Sequence, residues 1–411
     1  MTDPTGLSFI SYRRSRVDEA ALIVGAQRDR GIPTWQDMAD LGSGLTEDEL
    51  RRVLSDPETA GAVVLVTPEV VSSPMIREVE VPLILERHLR NDGFSAVVVA
   101  AGGLNYGDLN SVLGPHVGAA YMASWNVWKV AHDPMNEHDA AGIADLMLEH
   151  RLGAIANQVS SAGPLKLLVS TRCPIMKKIG WTLALDLTHR FDGRTAKAGA
   201  WEKHILPGLR SLRIALQKRM AGREVRCSGQ LCLPAAVALG TEFLSASGVR
   251  GSWLQDTTTF GGSQELWGLH VPTAHTSFSP QLTAARPDET SLALMVSVTH
   301  DVVDDVRSSF PSDFPFRALV HIHDPRVRQK GRVQLSAGEA VEVAHLAVNS
   351  LRRASTTYKV RGTVHLFLAV PAGLAFMIGQ LLNAFGAVQT YEHLPGQHPC
   401  YVPAAVLRPA S

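Results

Sequence analysis

The stretch AGAVVLVTP, residues 60–68, decides the fold class of the first part of the chain. It is apolar on both faces, as a central strand of a parallel sheet is. Similar strand-like segments occupy 7–12, 31–37 and 94–103, and helix-like segments occupy 18–30, 45–56 and 74–90, with Asp18 and Ser73 as candidate N-caps. This alternation predicts an open parallel α/β sheet that binds ligands at the carboxyl ends of its strands.

Several polar and aromatic residues follow those strand ends. Arg13 and Arg14 come after the first strand, and the planar fork of arginine suits a phosphate or pyrophosphate. Trp35, near the end of the second strand, has an indole that can stack on a flat heterocycle, and a GSG loop at 42–44 would let backbone approach a ligand. The residues alone leave two alternatives open: a nucleotide crevice, or solvated surface charges beside a core tryptophan and a plain loop.

Composition limits the classes of function. The chain has 411 residues, 39 basic and 39 acidic, so it lacks the excess of positive charge expected of a general DNA- or RNA-binding protein. The sequence shows neither a signal-peptide pattern nor a membrane-spanning run, which predicts a cytoplasmic protein without a membrane partner. Four cysteines without zinc spacing, and a His321-Ile322-His323-Asp324 motif without further ligands nearby, predict no bound metal.

The second part of the chain contains a degenerate internal repeat. WTLALDLTHRF (181–191) resembles TSLALMVSVTHDV (290–302), and VRCSGQLCLPAAVALGTEF (225–243) resembles VHLFLAVPAGLAFMIGQLL (364–382). Chance similarity between strand–turn–helix units is the alternative. A true repeat predicts two halves about a pseudo-twofold axis, with a pocket between them for a roughly symmetric ligand. The residues that end the first pair of strands are candidate ligand contacts or structural caps: Thr188, His189, Arg190, Arg194, Thr299 and His300.

The segments FISYRR (9–14), GIPTWQDMADLGSG (31–44), AVVLVTPEVVSSPMIREVE (62–80) and AVVVAAGG (96–103) resemble the successive boxes of a TIR domain. The resemblance covers roughly residues 1–110 and implies a flavodoxin-like fold. Many bacterial TIR domains cleave the bond between nicotinamide and ribose in NAD, while others are signalling adaptors. By this resemblance NAD is a substrate, and its binding residues are Ser11, Tyr12, Arg13, Trp35, Asp37, Gly42 and Ser43.

In the enzymes of that family the essential residue is a glutamate on the helix after the third strand. This chain lacks the tryptophan that usually begins that helix, so the register falls between Glu78 and Glu80. If Ile76 takes the place of the tryptophan, Glu80 lies four residues later on the same helix face. If Pro74 does, the glutamate is Glu78. A large apolar side chain is the better substitute, so Glu80 is the predicted catalytic residue.

The C-terminal segments SLALMVSVTHDVVDDV (291–306), VHLFLAVPAGLAFMIGQLLNAFG (364–386) and VQTYEH (388–393) resemble a SAVED domain, a fused pair of CARF-like Rossmannoid units that binds cyclic oligonucleotides in antiviral signalling. The resemblance covers about residues 160–411 and adds Pro371, Gly373 and Phe376 to the candidate ligand contacts. It implies a cyclic trinucleotide as ligand, with cyclic tri-adenylate as the leading candidate.

Together these features predict two domains, a TIR domain over 1–155 with its core at 7–110 and a SAVED domain over 160–411 with halves at about 165–275 and 285–411. The predicted protein is a defence effector whose ligand drives head-to-tail self-association and NAD hydrolysis, without any cofactor. The alternative is a non-enzymatic TIR adaptor that assembles on the ligand and recruits a partner.

Overall fold

The computed structural model of the protein describes residues 1–35, 47–117, 127–158, 163–175, 180–244, 248–257, 263–310 and 314–409. Contacts within the chain define two units. The first comprises Met1–Gly163, Ile175–Asp186 and Ile214–Ala221, and the second comprises Pro164–Pro174, Leu187–Arg213 and Gly222–Ser411. Two short segments beyond Gly163 therefore fold with the first unit. Within the described residues, no helix combines the length and the apolar character needed to span a bilayer.

The sheet of the first unit is parallel throughout, as the alternating pattern predicts. Its strands are β1 (Leu7–Ser11), β2 (Thr34–Trp35), β3 (Thr59–Val66), β4 (Ser95–Ala100) and β5 (Val127–Lys129), in the order 2-1-3-4-5. Every residue of β3 is buried, which explains why its sequence is apolar on both faces. In a doubly wound sheet of this order, ligands bind beyond the carboxyl ends of the strands, where β1 and β3 diverge.

The helices of the first unit are α1 (Val17–Arg28), α2 (Glu47–Ser55), α3 (Val81–Leu89), α4 (Tyr106–Val117) and α5 (Glu137–Gln158). The two predicted N-caps are wrong. Asp18 lies inside the first turn of α1, where its charge suits the helix dipole, and Ser73 accepts the N–H of Arg77 through its backbone carbonyl. The helix predicted over 74–90 begins instead as a π-helical turn, Met75–Glu80, that leads directly into α3. Strand β7 (Leu183–Asp186) lies within the segment Ile175–Asp186 that is grouped with this unit.

The second unit contains two further sheets and a small hairpin. The strands of its first half are β6 (Leu165–Ser170), β10 (Glu224–Gln230), β11 (Arg250–Asp256) and β12 (Gln264–Trp267), with the hairpin β8 (Phe191–Asp192) and β9 (Thr195–Ala196). The strands of its second half are β13 (Ser279–Ala284), β14 (Ser291–Ser297), β15 (Phe316–His323), β16 (Val364–Ala369), β17 (Val388–His393) and β18 (Tyr401–Leu407). The remaining helices are α6 (Leu206–Arg219), α7 (Leu233–Glu242), α8 (Val303–Ser309), α9 (Pro325–Lys330), α10 (Ala337–Thr357) and α11 (Ala372–Gln380).

The two halves share one strand order. Strand β10 lies between β6 and β11 with parallel pairing on both sides, and β16 lies in the same way between β14 and β17. The outer neighbours β12 and β18 are both antiparallel. The units β10–α7 and β16–α11 therefore correspond, as do the repeated segments 225–243 and 364–382 that contain them.

The other pair of similar segments, 181–191 and 290–302, does not correspond in the fold, and that part of the predicted repeat is wrong. Strand β14 pairs with the central β16 in the way that β6 pairs with the central β10. The counterpart of β14 is therefore β6 rather than β7. Hydrogen bonds after these strands agree, because Thr171 donates its N–H to Gln230 and Val298 donates its N–H to Ala369. Gln230 and Ala369 are equivalent positions in the aligned repeat. An apolar strand followed by Thr-His is too common a pattern to fix a register.

Helices α7 and α11 cross through a pair of glycines. A Cβ added to Gly240 would lie 2.2 Å from the carbonyl oxygen of Phe376, and one added to Gly379 would lie 2.3 Å from that of Val237. In the aligned repeat Gly240 is equivalent to Gly379, and Val237 to Phe376. The contact is thus reciprocal, as two halves related by a twofold axis require.

Candidate functional sites

The first candidate site lies at the carboxyl edge of the first unit's sheet. Ser11 ends β1 with 1% of its surface exposed, and its hydroxyl has no hydrogen-bond partner within the described residues. Trp35 ends the neighbouring β2 and stacks on Phe9, with ring centroids 5.2 Å apart. Tyr12 and Arg13 are partly buried after β1. This edge therefore combines an indole, a phenol, a hydroxyl and a guanidinium. The predicted contacts Asp37, Gly42 and Ser43 lie outside the described residues.

The two candidate glutamates occupy different environments. Glu80, the last residue of the π-helical turn, has 8% of its surface exposed. The side chain of Glu78 is 55% exposed and lies 3.8 Å from Arg77. Ile76 is buried in the core of this unit. Turns of the π type recur at functional sites, and a buried carboxylate interacts more strongly with positive charge than a solvated one. The geometry therefore favours Glu80.

Arg16 also lies at this edge and is not among the predicted contacts. Its guanidinium lies 2.7 Å from carboxylate oxygens of both Glu19 and Glu69 and 3.5 Å from Asp133. Hydrogen bonds to Glu19 and then Glu69 raise the pKa of Arg16 above its ordinary value. The signal was present, because Arg16 follows the same strand end as Arg13 and Arg14. The network joins the segments that follow β1 and β3, so it stabilises the rim of the crevice.

A second candidate site is a cavity of about 480 Å³ in the second unit, which we call the strand-end cavity. Two of the predicted ligand contacts, Thr299 and Pro371, lie in its wall together with Arg332. Its lining comes from both halves: Gln255, Asp256, Thr257, Trp267, Thr299, Arg332, Val333, Gln334, Leu335 and Pro371. Ligand pockets span roughly 300–1,000 Å³, so the volume suits part of a nucleotide-sized ligand. A further cavity, of about 540 Å³, lies at the opposite, amino-terminal end of β16.

A smaller cavity, of about 70 Å³, is the equivalent of the strand-end cavity in the repeat, and we call it the counterpart cavity. Cys232 lines it at the position equivalent to Pro371. Arg172, which follows β6 as Thr299 follows β14, lies 2.6 Å from Glu392, and Arg194 lies 3.2 Å from the same carboxylate. Arg194 is among the predicted contacts. Arg172 is not, because the Thr-His pattern points to β7 rather than β6 as the counterpart of β14.

The remaining predicted contacts line neither of these two cavities. Thr188, His189 and Arg190 form a short 3₁₀ turn and line neither of the two strand-end sites just described. Phe376 is fully buried and packs against Phe243 and Trp253, so it is a core residue. Gly373 donates its N–H to Gln255, which places it behind the wall of the strand-end cavity.

His300 belongs to a separate cluster. Its Nε2 lies 3.5 Å from Oδ2 of Asp305, and Nε2 of His393 lies 2.9 Å from the same oxygen. Burial, and then the neighbouring His393, lower the pKa of His300 below its ordinary value. The cluster is next to both cavities in sequence. Thr299, which lines the strand-end cavity, precedes His300, and Glu392, which lines the counterpart cavity, precedes His393.

A protein-family model for SAVED, the "SMODS-associated and fused to various effectors sensor domain", matches residues 209–407. These residues form a SAVED domain. The match includes β10 to β18, both crossing helices and the whole lining of the strand-end cavity. The SAVED domain is thus a sensor module in which the two similar halves enclose the candidate ligand site. No curated protein matches the chain.

Solved structures that are similar to the chain include SAVED receptors. The Acinetobacter baumannii Cap4 SAVED/CARF-domain containing receptor with the cyclic trinucleotide 3'3'3'-cAAA is 14% identical, with 89% of this chain and 86% of that chain covered and a TM-score of 0.49. The Moraxella osloensis Cap4 receptor has the same identity and coverage and a TM-score of 0.44. A metazoan TIR-STING receptor from C. gigas is 20% identical over 44% of this chain and 62% of that chain, with a TM-score of 0.23.

Two histidines of the SAVED domain, the buried His321 and the half-buried His365, predict sensitivity to acid. Burial, and then the neighbouring His323, lower the pKa of His321 to about 4, and burial lowers that of His365 to about 4. The unfolded chain binds protons near pH 6.5, so it holds more protons than the folded chain between pH 6.5 and 4. The free energy of unfolding should fall over that window by up to about 1.4 kcal/mol per pH unit for each histidine.

Urea unfolding of the full chain at several pH values between 7.5 and 4.5 measures this dependence. His365→Gln removes one of the two groups and should make the fall less steep. An unchanged slope in that variant would show that His365 is not protonated on unfolding. Replacement of the exposed His138 by glutamine is the control for the substitution itself.

Proposed function

We propose that the chain is a ligand-activated NAD glycohydrolase: its SAVED domain binds a cyclic oligonucleotide, and its first unit, a flavodoxin-like TIR domain, hydrolyses NAD to nicotinamide and ADP-ribose. The observation that carries the catalytic part is Glu80, a buried carboxylate in a π-helical turn after β3 of a 2-1-3-4-5 parallel sheet. The resemblance of residues 1–110 to TIR domains supports the same assignment.

In the proposed reaction the bond between ribose C1′ and the nicotinamide nitrogen breaks, and its electron pair leaves with nicotinamide. Positive charge then develops on the ribose as an oxocarbenium ion. Glu80 accepts hydrogen bonds from the ribose hydroxyls and stabilises this charge. A water molecule adds to C1′ and loses a proton, which gives ADP-ribose. No step requires a metal ion.

The remaining residues of the first site bind and orient NAD. Trp35 or Tyr12 stacks near the nicotinamide-riboside end, and Arg13 contacts the pyrophosphate. Ser11 offers a buried hydroxyl that lacks a partner within the described residues, which suits a hydrogen bond to the substrate.

In the SAVED domain, the strand-end cavity receives the cyclic oligonucleotide. Arg332 has no carboxylate partner within the described residues, so its guanidinium is available to a phosphate. Thr299 and the backbone next to Pro371 add polar contacts at the carboxyl ends of β14 and β16. Cyclic tri-adenylate is the leading candidate ligand. Ligand binding then drives head-to-tail association, which brings neighbouring TIR domains together; such a heterologous contact grows into a filament unless it closes.

The test is to incubate the full chain with NAD and a panel of cyclic oligonucleotides that includes cyclic tri-adenylate, and to measure nicotinamide release and particle size by light scattering. Release that depends on one ligand and accompanies assembly supports the proposal. Assembly without any nicotinamide release would identify an adaptor, and activity of a ligand-bound monomer would refute activation by association.

Arg332→Gln should weaken binding of the cyclic oligonucleotide roughly tenfold, because it removes a charge-assisted hydrogen bond worth about 1.5 kcal/mol. Isothermal titration calorimetry measures the change. Arg353→Gln, which removes an exposed arginine of α10 outside the cavity, is the matched control. Equal affinities of the two variants would exclude Arg332 from the ligand site.

A further inference from the structure

Two histidines and an aspartate converge at the carboxyl edge of the SAVED domain's second sheet. His300 follows β14, His393 ends β17, and Asp305 lies on α8. One ligand-type atom from each side chain lies within 4.8 Å of the other two. Oδ2 of Asp305 is central, at 2.9 Å from Nε2 of His393 and 3.5 Å from Nε2 of His300.

These separations match the edges of a coordination tetrahedron. With metal–ligand distances of about 2.0–2.1 Å, two ligands of a tetrahedral Zn²⁺ ion lie about 3.3 Å apart. The two separations from Asp305 bracket that value. Inward movement of the imidazoles, whose centroids are 4.8 Å apart, would complete the geometry.

The cluster also contains a polar atom that needs a partner. Nε2 of His300 is buried and makes no hydrogen bond within the described residues. Leaving such a buried atom without a partner is energetically unfavourable. A second, independent feature of the cluster therefore points to a ligand at this atom.

We propose that His300, His393 and Asp305 bind one divalent transition-metal ion of the Zn²⁺ class through two imidazole nitrogens and one carboxylate oxygen. Imidazole ligands favour such an ion over Mg²⁺ or Ca²⁺, which prefer oxygen ligands alone. Three protein ligands leave a fourth position for water or another oxygen ligand.

The ion would join three segments that are separate in the chain: the loop after β14, helix α8 and the end of β17. The adjacent residues Thr299 and Glu392 line the strand-end and counterpart cavities respectively. The metal thereby fixes the strand ends that carry both cavities. This role is independent of NAD cleavage and of the identity of the oligonucleotide.

The His321–His323 motif does not offer the same chemistry. Its imidazoles are stacked with centroids 4.7 Å apart, but Nε2 of His321 is hydrogen-bonded to Ser297 at 2.8 Å. The neighbouring Asp324 is paired with Arg326 at 2.6 Å. Across the part of the chain that the structure describes, the group of His300, Asp305 and His393 is the only set of three His, Cys, Asp or Glu side chains so arranged.

The experiment titrates the full chain, stripped with EDTA and free of NAD and oligonucleotide, with Zn²⁺ and with Co²⁺. We expect one equivalent of either ion to bind, with the visible absorption of tetrahedral Co²⁺ and a rise in thermal stability. His300→Ala and Asp305→Asn should each lower the affinity by more than roughly 100-fold, since even the loss of an outer partner costs 10–100-fold. His323→Ala is the control and should bind normally.

Asp305→Asn preserves the size of the side chain, so it keeps the test valid if the histidine variant fails to fold; near-ultraviolet circular dichroism reports the fold of each. Binding of much less than one equivalent by the wild type would overturn the proposal. Equal affinities of the wild type and the folded Asp305→Asn variant would overturn it as well. Neither result depends on whether the chain cleaves NAD.

Discussion

Glu80→Gln should abolish ligand-triggered NAD cleavage, with kcat reduced by roughly 10³-fold, the loss typical when a group that stabilises transition-state charge is removed. The amide keeps the size and some hydrogen-bonding capacity of the side chain but loses its negative charge. The KM for NAD should change little, since the charge acts when the oxocarbenium ion forms. Nicotinamide release at saturating ligand and NAD measures both parameters.

Glu78→Gln is the matched control. The side chain of Glu78 is 55% exposed, so its replacement should leave kcat within a few-fold of the wild-type value. Both variants should remain folded and should bind the oligonucleotide as the wild type does. If Glu78→Gln is inactive and Glu80→Gln is active, the register proposed for the catalytic helix is wrong.

Gly379→Ala should lower the free energy of unfolding of the SAVED domain by about 2–3 kcal/mol, because its new Cβ overlaps a backbone atom of the facing helix. The overlap is with the carbonyl oxygen of Val237, 2.3 Å away, so a side-chain rotation cannot relieve it. The two halves must separate, which should also weaken oligonucleotide binding in the strand-end cavity. Urea unfolding and calorimetric titration measure the two effects.

Gly153→Ala in α5 provides a control with the opposite sign. A Cβ at Gly153 meets nothing within 4 Å, so the substitution gains helix propensity and should stabilise the first unit by up to about 1 kcal/mol. The double variant Gly240→Ala/Gly379→Ala should cost less than the sum of the two single changes, since one separation of the helices relieves both contacts. Strict additivity would show that the glycines do not share one contact.

The buried parallel strands were the most predictable part of the fold. A central strand excludes water from both faces, so β3 and β4 are apolar runs that pattern alone identifies. The π-helical turn at Met75–Glu80 was not predictable, because its backbone register is set by the packing of Ile76 and Val79 rather than by local propensity. That turn decides which glutamate is buried.

The ligand-binding edge was predicted only in part. Thr299 and Pro371 follow strands whose ends any parallel sheet brings together. Arg332 and Gln255 come from distant segments, which no local pattern links to the cavity. Phe376 is equivalent to Val237, and both positions face the helix crossing, so the packing of the halves rather than the strand pattern determines its burial.

The reciprocal crossing of Gly240 and Gly379 has a consequence for symmetry. A homodimer of identical half-domains would make the same contact at its twofold axis. Any substitution in such a dimer would occur in both copies of the contact. Joining the halves in one chain removes that constraint, and each side can then change alone. The equivalent positions have diverged to Pro371 and Thr299 on one side and to Cys232 and Arg172 on the other, with cavities of about 480 and 70 Å³. A symmetric ligand that bound across both cavities would therefore place chemically equivalent groups against two unlike surfaces.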